Sequence, residues 1–201
     1  MTKKYPYKID PYQLVALVQL IEKTRPTNGS VIEIGVAQGD TSVFLLEHLQ
    51  TIDDHRQLLL FDTFSGFTPE SIDIEVTQRG KHISEYDKFR YGNEALFINR
   101  LKWSGYQHFK TFKGDASKFD WSIVAPIGAV LLDIDLYSPT KAILENIFPH
   151  ICIGGGIVVD DCLENTPWDG SLQAYTEFIT AHNLPFERAG RKGAVIRKIS
   201  D

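Results

Sequence analysis

The sequence predicts a single doubly wound α/β domain, built on a mostly parallel, seven-stranded sheet with a closing antiparallel strand. Short apolar runs alternate with helical segments along the chain, which is the pattern of parallel strands joined by crossover helices. Several of these runs end in an acidic residue, at the position where parallel sheets present functional groups. The 201 residues are enough for one domain with a sizeable core, so residues 1–201 are expected to fold as one unit.

Composition and charge narrow the class of protein. The net charge of -5 argues against nucleic acid as the main partner. No run approaches the roughly 18 apolar residues of a membrane span, and the N-terminus lacks the apolar core of a signal peptide. Cys152 and Cys162 have neither zinc nor redox spacing, which favours reduced thiols. We therefore expect a cytoplasmic protein with no membrane partner.

The first third of the chain predicts helix, strand and helix in that order. Residues 1–29 form an N-terminal helical segment, in which Asp10 caps a helix whose first residue is Pro11. The apolar face of this helix consists of Leu14, Val15, Leu17, Val18 and Ile21. A strand at 31–34 leads through a glycine-containing loop to a helix capped by Asp40 or Thr41 that runs to about residue 49.

The middle third contains two further strands and a long polar segment. An apolar strand at 57–64 ends at Asp62, and a weaker strand covers 108–112. Between them the pattern dissolves from residue 65 onward, which is typical of a functional loop, so we predict a lid at 65–92. A helix at 93–102 follows, with Leu96, Phe97 and Leu101 inward.

The last third repeats the strand–helix alternation and then closes the sheet. A strand reaches Asp133, a helix spans about 138–148, and the next strand covers 157–160. Ser171 is the predicted cap of a further helix. Two strands, at about 186–188 and 194–199, have a tight connection between them, which predicts a hairpin at one edge of the sheet.

Two pairs of carboxylates follow neighbouring apolar runs and predict a metal site. Asp133 and Asp135 are two residues apart, so on an extended strand they would face the same side, roughly 6.6 Å apart along the chain. Asp160 and Asp161 are adjacent and would converge only where the chain turns. Several carboxylates with open coordination positions are typical of a catalytic Mg²⁺. The alternative is that these residues are helix caps and solvated turn acids.

The ends of the other strands predict a nucleotide-like ligand. The first loop has the spacing G-x-x-x-G at Gly35 and Gly39, not the dinucleotide spacing G-x-G-x-x-G. With Glu33 before it, this loop suits an amino group or a cation better than a diphosphate, although a plain tight turn would look the same. Asp62 is placed to bind ribose hydroxyls and Asp115 an adenine amino group. Either residue alone fits a cap or a turn acid equally well.

Five stretches of the chain resemble one family. EIGVAQGDTS, FDTFSGF, FKGDASKF, LLDIDLYSPTKAILENIFPHICIGGGIVVDDC and a W-x-G motif are similar to the macrocin O-methyltransferase family, from about residue 30 to residue 198. The resemblance implies a class I, Rossmann-like enzyme that uses S-adenosylmethionine and Mg²⁺ to methylate sugar hydroxyls of natural products. The chain is shorter at its N-terminus than typical members, and Thr68 is inserted before Pro69. Both differences concern the acceptor, and a homodimer is left open.

The resemblance also implies a role for each site residue. Metal ligands would be Asp133, Asp160 and Asp161, and the general base would be Asp135. Asp133 would also lie against the cofactor. The remaining cofactor contacts would be Glu33, Gly35, Gly39, Thr41 and Ser42, then Asp62 with Thr63 at the ribose and Asp115 with Ala116 at the adenine.

Three other functions stay open at this point. A binding module of the same fold would sense S-adenosylmethionine without turnover, although it would need neither base nor metal. An oxidoreductase would bind NAD in the same place. A catechol-type O-methyltransferase would keep the chemistry and replace the sugar with a diol. His82, in the predicted lid, is either a second base or a solvated loop histidine.

Overall fold

The computed structural model describes residues 7–86 and 92–200 of the chain. The strands are β1 Ser30–Ile34, β2 Leu58–Asp62, β3 Phe109–Lys113, β4 Ile127–Leu132, β5 Ile151–Val159, β6 Glu187–Ala189 and β7 Gly193–Arg197. The helices are α1 Pro11–Thr24, α2 Asp40–Thr51, α3 Pro69–Thr77, α4 Glu94–Trp103, α5 Tyr137–Ile147 and α6 Gly170–Ala181. Among these residues, no helix has the length and apolar character needed to cross a membrane.

The seven strands form one sheet in the order β3-β2-β1-β4-β5-β7-β6. Strands β1 to β5 pair in parallel, whereas β7 is antiparallel to both β5 and β6. The predicted fold and its closing hairpin are therefore confirmed. Because β1 pairs with both β2 and β4, the chain reverses its direction of travel across the sheet there, and a crevice opens at their carboxyl ends.

Each face of the sheet packs against its own helices. Leu17, Leu20 and Leu45 belong to the core of one face, with residues of α1, α2 and α4. Ile143 and Tyr175 belong to the other core, with α5 and α6. This double covering explains why β2 and β4 are nearly continuous apolar runs.

Two predicted inward positions are wrong. Val15 is 49% exposed and Leu96 is 61% exposed, because the buried stripes of α1 and α4 pass through neighbouring positions of the helical turn. In α1 the stripe includes Ala16 and Leu20. The residues predicted around them, such as Leu14 and Phe97, are buried.

Some element boundaries also differ from the prediction. Strand β5 begins at Ile151, six residues before the predicted start at 157. The prediction missed this first part because three consecutive glycines have low strand propensity. Helix α2 is capped by Gly39 and α6 by Asp169, one or two residues before the predicted caps.

The predicted lid contains regular structure that its polar sequence conceals. Helix α3 occupies Pro69–Thr77, and a 3-10 turn follows at Ile83–Glu85. Thr68 is the N-cap, since its hydroxyl accepts a hydrogen bond from the Ser71 N–H at 3.3 Å, and Pro69 fills the first helical position. The threonine that departs from the family motif thus begins this helix. Residues 87–91 of the lid and 1–6 of the N-terminal segment lie outside the described residues.

Candidate active site

A cavity of about 270 Å³ opens at the carboxyl ends of the central strands. All the predicted site residues except Ser42 line it, together with residues of the lid and of both ends of the chain. The predicted residues at its wall are Glu33, Gly35, Gly39, Thr41, Asp62, Thr63, Asp115, Ala116, Asp133, Asp135, Asp160 and Asp161. The fold therefore brings the predicted cofactor residues, from 33 to 116, and the predicted metal and base residues, from 133 to 161, into one cavity.

Gly35 begins the loop between β1 and α2. Its φ is +88°, and a Cβ atom there would lie 1.8 Å from the carbonyl oxygen of Asp133. The neighbour that this glycine admits is therefore the backbone of Asp133, directly after β4. The loop and the acidic strand end are thus fitted against each other before any ligand binds.

Glu33 lies on β1 beneath this loop and is 1% exposed. Burial, together with the negative charge of Asp62, raises its pKa to about 8, against the opposing effect of a hydrogen bond from Ser42. The Ser42 hydroxyl donates to Glu33 Oε2 at 2.5 Å. Ser42 therefore lies behind Glu33 rather than at the cavity wall, and its direct cofactor contact stays a prediction.

Asp62 ties the first two loops together. Its Oδ2 accepts hydrogen bonds from the N–H groups of Val36 at 3.0 Å and Ala37 at 3.3 Å. Its Oδ1 accepts from the Phe64 N–H at 2.7 Å. The Thr63 hydroxyl donates to the Gly66 carbonyl at 2.6 Å and shapes the next turn. A carboxylate has about four lone-pair sites, and the described residues use three of those of Asp62.

Asp115 closes the same side of the cavity from the end of β3. Its Oδ1 accepts from the Ser117 N–H at 3.0 Å and from the Ser117 hydroxyl at 2.6 Å. Burial acts to raise the pKa of Asp115, but these hydrogen bonds and the charge of Lys118 outweigh it and lower the pKa. The residue is thus a turn cap that also faces the cavity, next to Ala116.

Three carboxylates converge on the opposite side of the cavity. Asp133, Asp135 and Asp161 each offer an oxygen, and these oxygens lie within 4.8 Å of one another. Asp135 has φ +63° and Asp161 has φ +53°, a left-handed conformation that is uncommon outside glycine. Because β4 ends at Leu132, the extended-strand argument for Asp133 and Asp135 is wrong. A turn brings their side chains together instead.

The electrostatics of this cluster fit a bound cation. Burial first, and then the charges of Asp160 and Asp161, raise the pKa of Asp133. Burial and a hydrogen bond with Asp161 raise the pKa of Asp135. Largely buried carboxylates in mutual repulsion are costly, and a divalent ion would offset that cost. The donors are all carboxylate oxygens, which are the ligands that Mg²⁺ and Ca²⁺ prefer.

Asp160 is held differently from the other three carboxylates. Its Oδ1 accepts from Gln13 Nε2 at 2.9 Å, and its Oδ2 accepts from Lys192 Nζ at 2.5 Å. Lys192 also donates to Asp161 Oδ1 at 3.1 Å. The sequence motifs identified neither Gln13 nor Lys192. The one sequence feature that could have indicated Gln13 is its position beside the apolar stripe of α1.

Helix α3, within the predicted lid, is held next to Asp135 by a second buried network. Glu75 accepts hydrogen bonds from the Tyr137 N–H at 2.6 Å and from Arg79 Nε at 2.7 Å. Arg79 and Lys81 both form ion pairs with Asp169, which caps α6. The Glu75–Arg79 pair has the i, i+4 spacing of a helix, but no local pattern indicates the bonds to Tyr137 and Asp169, which lie far away in the chain.

His82 is exposed and lies beside this network. Its Nδ1 hydrogen-bonds with the Ser84 hydroxyl at 2.8 Å, and it does not line the cavity. The geometry therefore favours the solvated loop histidine over the second base.

Comparison with known proteins points to one family. A family model described as a methyltransferase domain matches residues 32–162, which is more than half of the chain. A Streptomyces olivaceus protein named 8-demethyl-8-(2,3-dimethoxy-alpha-L-rhamnosyl)-tetracenomycin-C 4'-O-methyltransferase is 27% identical over 143 residues. That match covers 66% of this chain but only 52% of the relative, about half of its length.

Solved structures share the fold. The O-methyltransferase NovP superimposes with a TM-score of 0.77 at 17% identity, covering 98% of this chain and 84% of NovP. The calicheamicin methyltransferase CalS11 gives a TM-score of 0.69 at 22% identity, covering 92% of this chain and 77% of CalS11. The resemblance to methyltransferases that the motifs predict is confirmed by the domain match. The chain belongs to the methyltransferase domain family.

Proposed function

We propose that this protein transfers a methyl group from S-adenosylmethionine to a hydroxyl of a small molecule, with the help of a divalent cation. The observation that carries the proposal is that one cavity has Glu33, Asp62 and Asp115 on one side and the converging carboxylates on the other. A Streptococcus mutans protein that shares the fold, with a TM-score of 0.60 at 13% identity, was solved with SAH. It covers 98% of this chain and 99% of its own.

The acceptor we propose is a sugar hydroxyl of a natural product. The Streptomyces olivaceus relative is named as acting on a rhamnosyl group, and CalS11 is also described as a TDP-rhamnose 3'-O-methyltransferase. The cavity volume of about 270 Å³ lies just below the roughly 300–1,000 Å³ typical of ligand pockets.

On the cofactor side, Asp62 and Asp115 are the proposed partners of the ribose hydroxyls and the adenine amino group. Glu33 and the loop from Gly35 to Gly39 would receive the amino-acid end of S-adenosylmethionine. The N-terminus of α2 faces this loop and offers unpaired N–H donors, which suit a carboxylate.

On the metal side, Asp133, Asp160 and Asp161 are the proposed ligands. When bound, the cation would lower the pKa of the acceptor hydroxyl and stabilise negative charge on its oxygen. Lys192 contributes a second positive charge next to Asp160 and Asp161, which reduces repulsion among the carboxylates. A protein that only senses the cofactor needs no such cluster.

Asp135 is the proposed general base. It lines the cavity, and its raised pKa suits a group that must take up a proton. The acceptor oxygen forms a bond to the methyl carbon while the sulfur–methyl bond breaks, and the hydroxyl proton passes to Asp135. Holding the acceptor and the cofactor in line in one cavity would lower the barrier to methyl transfer by roughly several kcal/mol, as it does in other oriented reactions.

A labelled-methyl assay tests this function against a panel of sugar, macrolide and catechol hydroxyls. We expect transfer to a sugar acceptor with Mg²⁺, and a loss of at least about 100-fold in EDTA or in Asp133→Asn, because a few kcal/mol of stabilisation is removed. Asp53→Asn is the matched control, since Asp53 is an exposed aspartate outside the cavity.

Calorimetry separates the possible failures of this proposal. Asp133→Asn should still bind S-adenosylmethionine, because the other proposed cofactor contacts, Glu33, Asp62 and Asp115, are unchanged. Full activity in EDTA would refute the metal role, and binding of NAD in place of S-adenosylmethionine would refute the cofactor. Transfer only to catechols would replace the sugar acceptor with a diol.

A further inference from the structure

Gln13, in the first turn of α1, contacts Asp160 of the acidic site. The β6–β7 hairpin, near the other end of the chain, contacts Asp160 as well. The side chain is fully buried, with 0% exposure. Its Nε2 donates to Asp160 Oδ1 at 2.9 Å, and its Oε1 accepts from the Asp10 N–H at 3.0 Å. Both ends of the amide are therefore used, which fixes its orientation.

The β6–β7 connection is built around the same side chain. A Cβ atom at Gly193 would lie 2.4 Å from the Gln13 side chain, so only glycine leaves room for it there. Asp10 Oδ2 accepts from the N–H groups of Arg191 at 2.7 Å and Lys192 at 3.0 Å. Lys192 then donates to the other oxygen of Asp160.

Asp160 is thus clamped between the two ends of the chain. Gln13 holds one oxygen and Lys192 holds the other, while the N–H of Asp160 is bonded to Leu132 in β4. Asp161, the next residue, is in a strained left-handed conformation, and its carboxylate also accepts a hydrogen bond from Lys192. Because Asp160 and Asp161 are adjacent, a backbone shift at Asp160 would also move Asp161 relative to Asp133 and Asp135. Gln13 and Lys192 both lie outside the segment matched by the domain family, residues 32–162.

We propose that Gln13 is a positioning residue of the cation site, which acts through Asp160 to keep the Asp160–Asp161 pair aligned with Asp133. This inference rests on the proposed function, in which these carboxylates hold a divalent ion. Carboxylate ligands are commonly held by hydrogen bonds from outside the coordination sphere, and loss of such a partner typically weakens metal binding by about 10- to 100-fold.

Titration with Mn²⁺ alone, followed by calorimetry and electron paramagnetic resonance, tests the proposal on the full chain. Gln13→Met keeps the length of the side chain and removes the donor, while Gln13→Asn keeps the amide but is one methylene too short. We expect both variants to raise the Kd for Mn²⁺ by about 10- to 100-fold. Gln19→Met, at an exposed glutamine of the same helix, should leave the Kd unchanged.

SAH affinity, measured without metal, serves as the internal reference. It should be unchanged in every variant, because Gln13 does not line the cofactor side of the cavity. A folded Gln13→Met protein that binds Mn²⁺ as the wild type does would overturn the proposal. Loss of the folded state in both Gln13 variants would also overturn it, since Gln13 would then be a folding residue.

The same titration keeps this inference separate from the proposed function. A wild-type protein that binds no Mn²⁺ would refute the metal role and the positioning role together. A wild-type protein that binds Mn²⁺ in a Gln13-dependent way, but transfers no methyl group, would refute only the function.

Discussion

Individual residues of the site adopt conformations that their own side chains do not favour. Asp135 and Asp161 are left-handed, and Glu33 is a buried carboxyl group whose hydrogen-bond donor, among the residues that the structure describes, is Ser42. Such features cost of order 1–3 kcal/mol each and persist only where the surroundings enforce them. These residues are therefore held in place by the surrounding structure rather than by their own conformational preferences.

Glu33 should make the stability of the ligand-free protein depend on pH. Its pKa rises from 4.5 to about 8 on folding, so the folded state holds a proton that the unfolded state releases in this window. The stability that this proton contributes is complete below about pH 4.5 and is lost as the pH rises through about 8. In the wild type the free energy of unfolding should fall by about 1.4 kcal/mol for each pH unit within this window, and Glu33→Gln should remove this fall.

Urea unfolding at pH 5 and pH 8.5 measures this difference. Relative to the wild type, Glu33→Gln should be more stable at the higher pH than at the lower one by roughly 3–5 kcal/mol. The same change at the exposed Glu164 should give no such gain. An equal difference between Glu33→Gln and the wild type at both pH values would contradict the prediction.

Gly35 should tolerate alanine much less well than Gly80 does. Both have positive φ, but a Cβ at Gly80 would meet no atom within 4 Å, whereas at Gly35 it would meet the Asp133 backbone. We expect Gly80→Ala to cost about 1–2 kcal/mol of unfolding free energy. Gly35→Ala should cost on the order of 4 kcal/mol, because backbone must also move. Chemical denaturation compares them, and equal costs would argue against the close packing of the loop and β4.

At the scale of elements, α3 shows how a polar helix, within the predicted lid, is attached to the rest of the fold. Its own sequence offers few apolar residues for burial, and the only buried residues of the helix are Ser71 and Glu75. Glu75 is 0% exposed and joins the helix to the backbone of Tyr137, two residues after Asp135. Polar and charged contacts of this kind hold α3 next to the site.

Glu75→Gln should loosen the lid. The change removes the charge opposite Arg79, and hydrogen bonds to charged groups are worth about 1.5–3 kcal/mol. Because cleavage follows the population of the open form, trypsin should cut after Arg79 and Lys81 about 10-fold faster or more. Asp73→Asn, at an exposed position of the same helix, is the control. Cleavage at the wild-type rate would show that Glu75 does not hold the lid.

At the scale of the whole molecule, the site is assembled from the carboxyl ends of the parallel strands and from both ends of the chain. The cavity wall includes Lys8 near one end and Lys192 near the other. A ligand that fills this cavity contacts both halves of the sheet at once. Binding should therefore stabilise the entire fold.

SAH should raise the melting temperature of the protein, whereas NAD should not. At about 100 times its Kd, a ligand that binds only the folded state adds about 2.7 kcal/mol. For a chain of this size that corresponds to roughly 5–11 °C. Differential scanning calorimetry with each ligand at equal concentration measures the shift, and Asp53→Asn should respond as the wild type does. A larger shift with NAD would contradict the cofactor assignment.

Much of the fold could be predicted because its signals are local. The strand that ends at Asp62 and the strand that precedes Asp133 are apolar runs of the expected length, and the structure has both. The convergence of Asp133, Asp135 and Asp161 was also predictable, since parallel strands end at one edge. The extended conformation predicted for Asp135 is wrong, because β4 ends at Leu132 and aspartate occurs both in strands and in left-handed turns, so its identity alone does not decide between them.

The sequence by itself determined which segments cross the sheet, which acids stand at the ends of the strands, and which family the motifs resemble. Tertiary structure alone decided which groups hold those acids. Gln13 meets Asp160 across 147 residues, and Glu75 meets Tyr137 across 62. Periodicity and capping act over a few residues, whereas these contacts exist only after the chain has packed, so no local pattern encodes them.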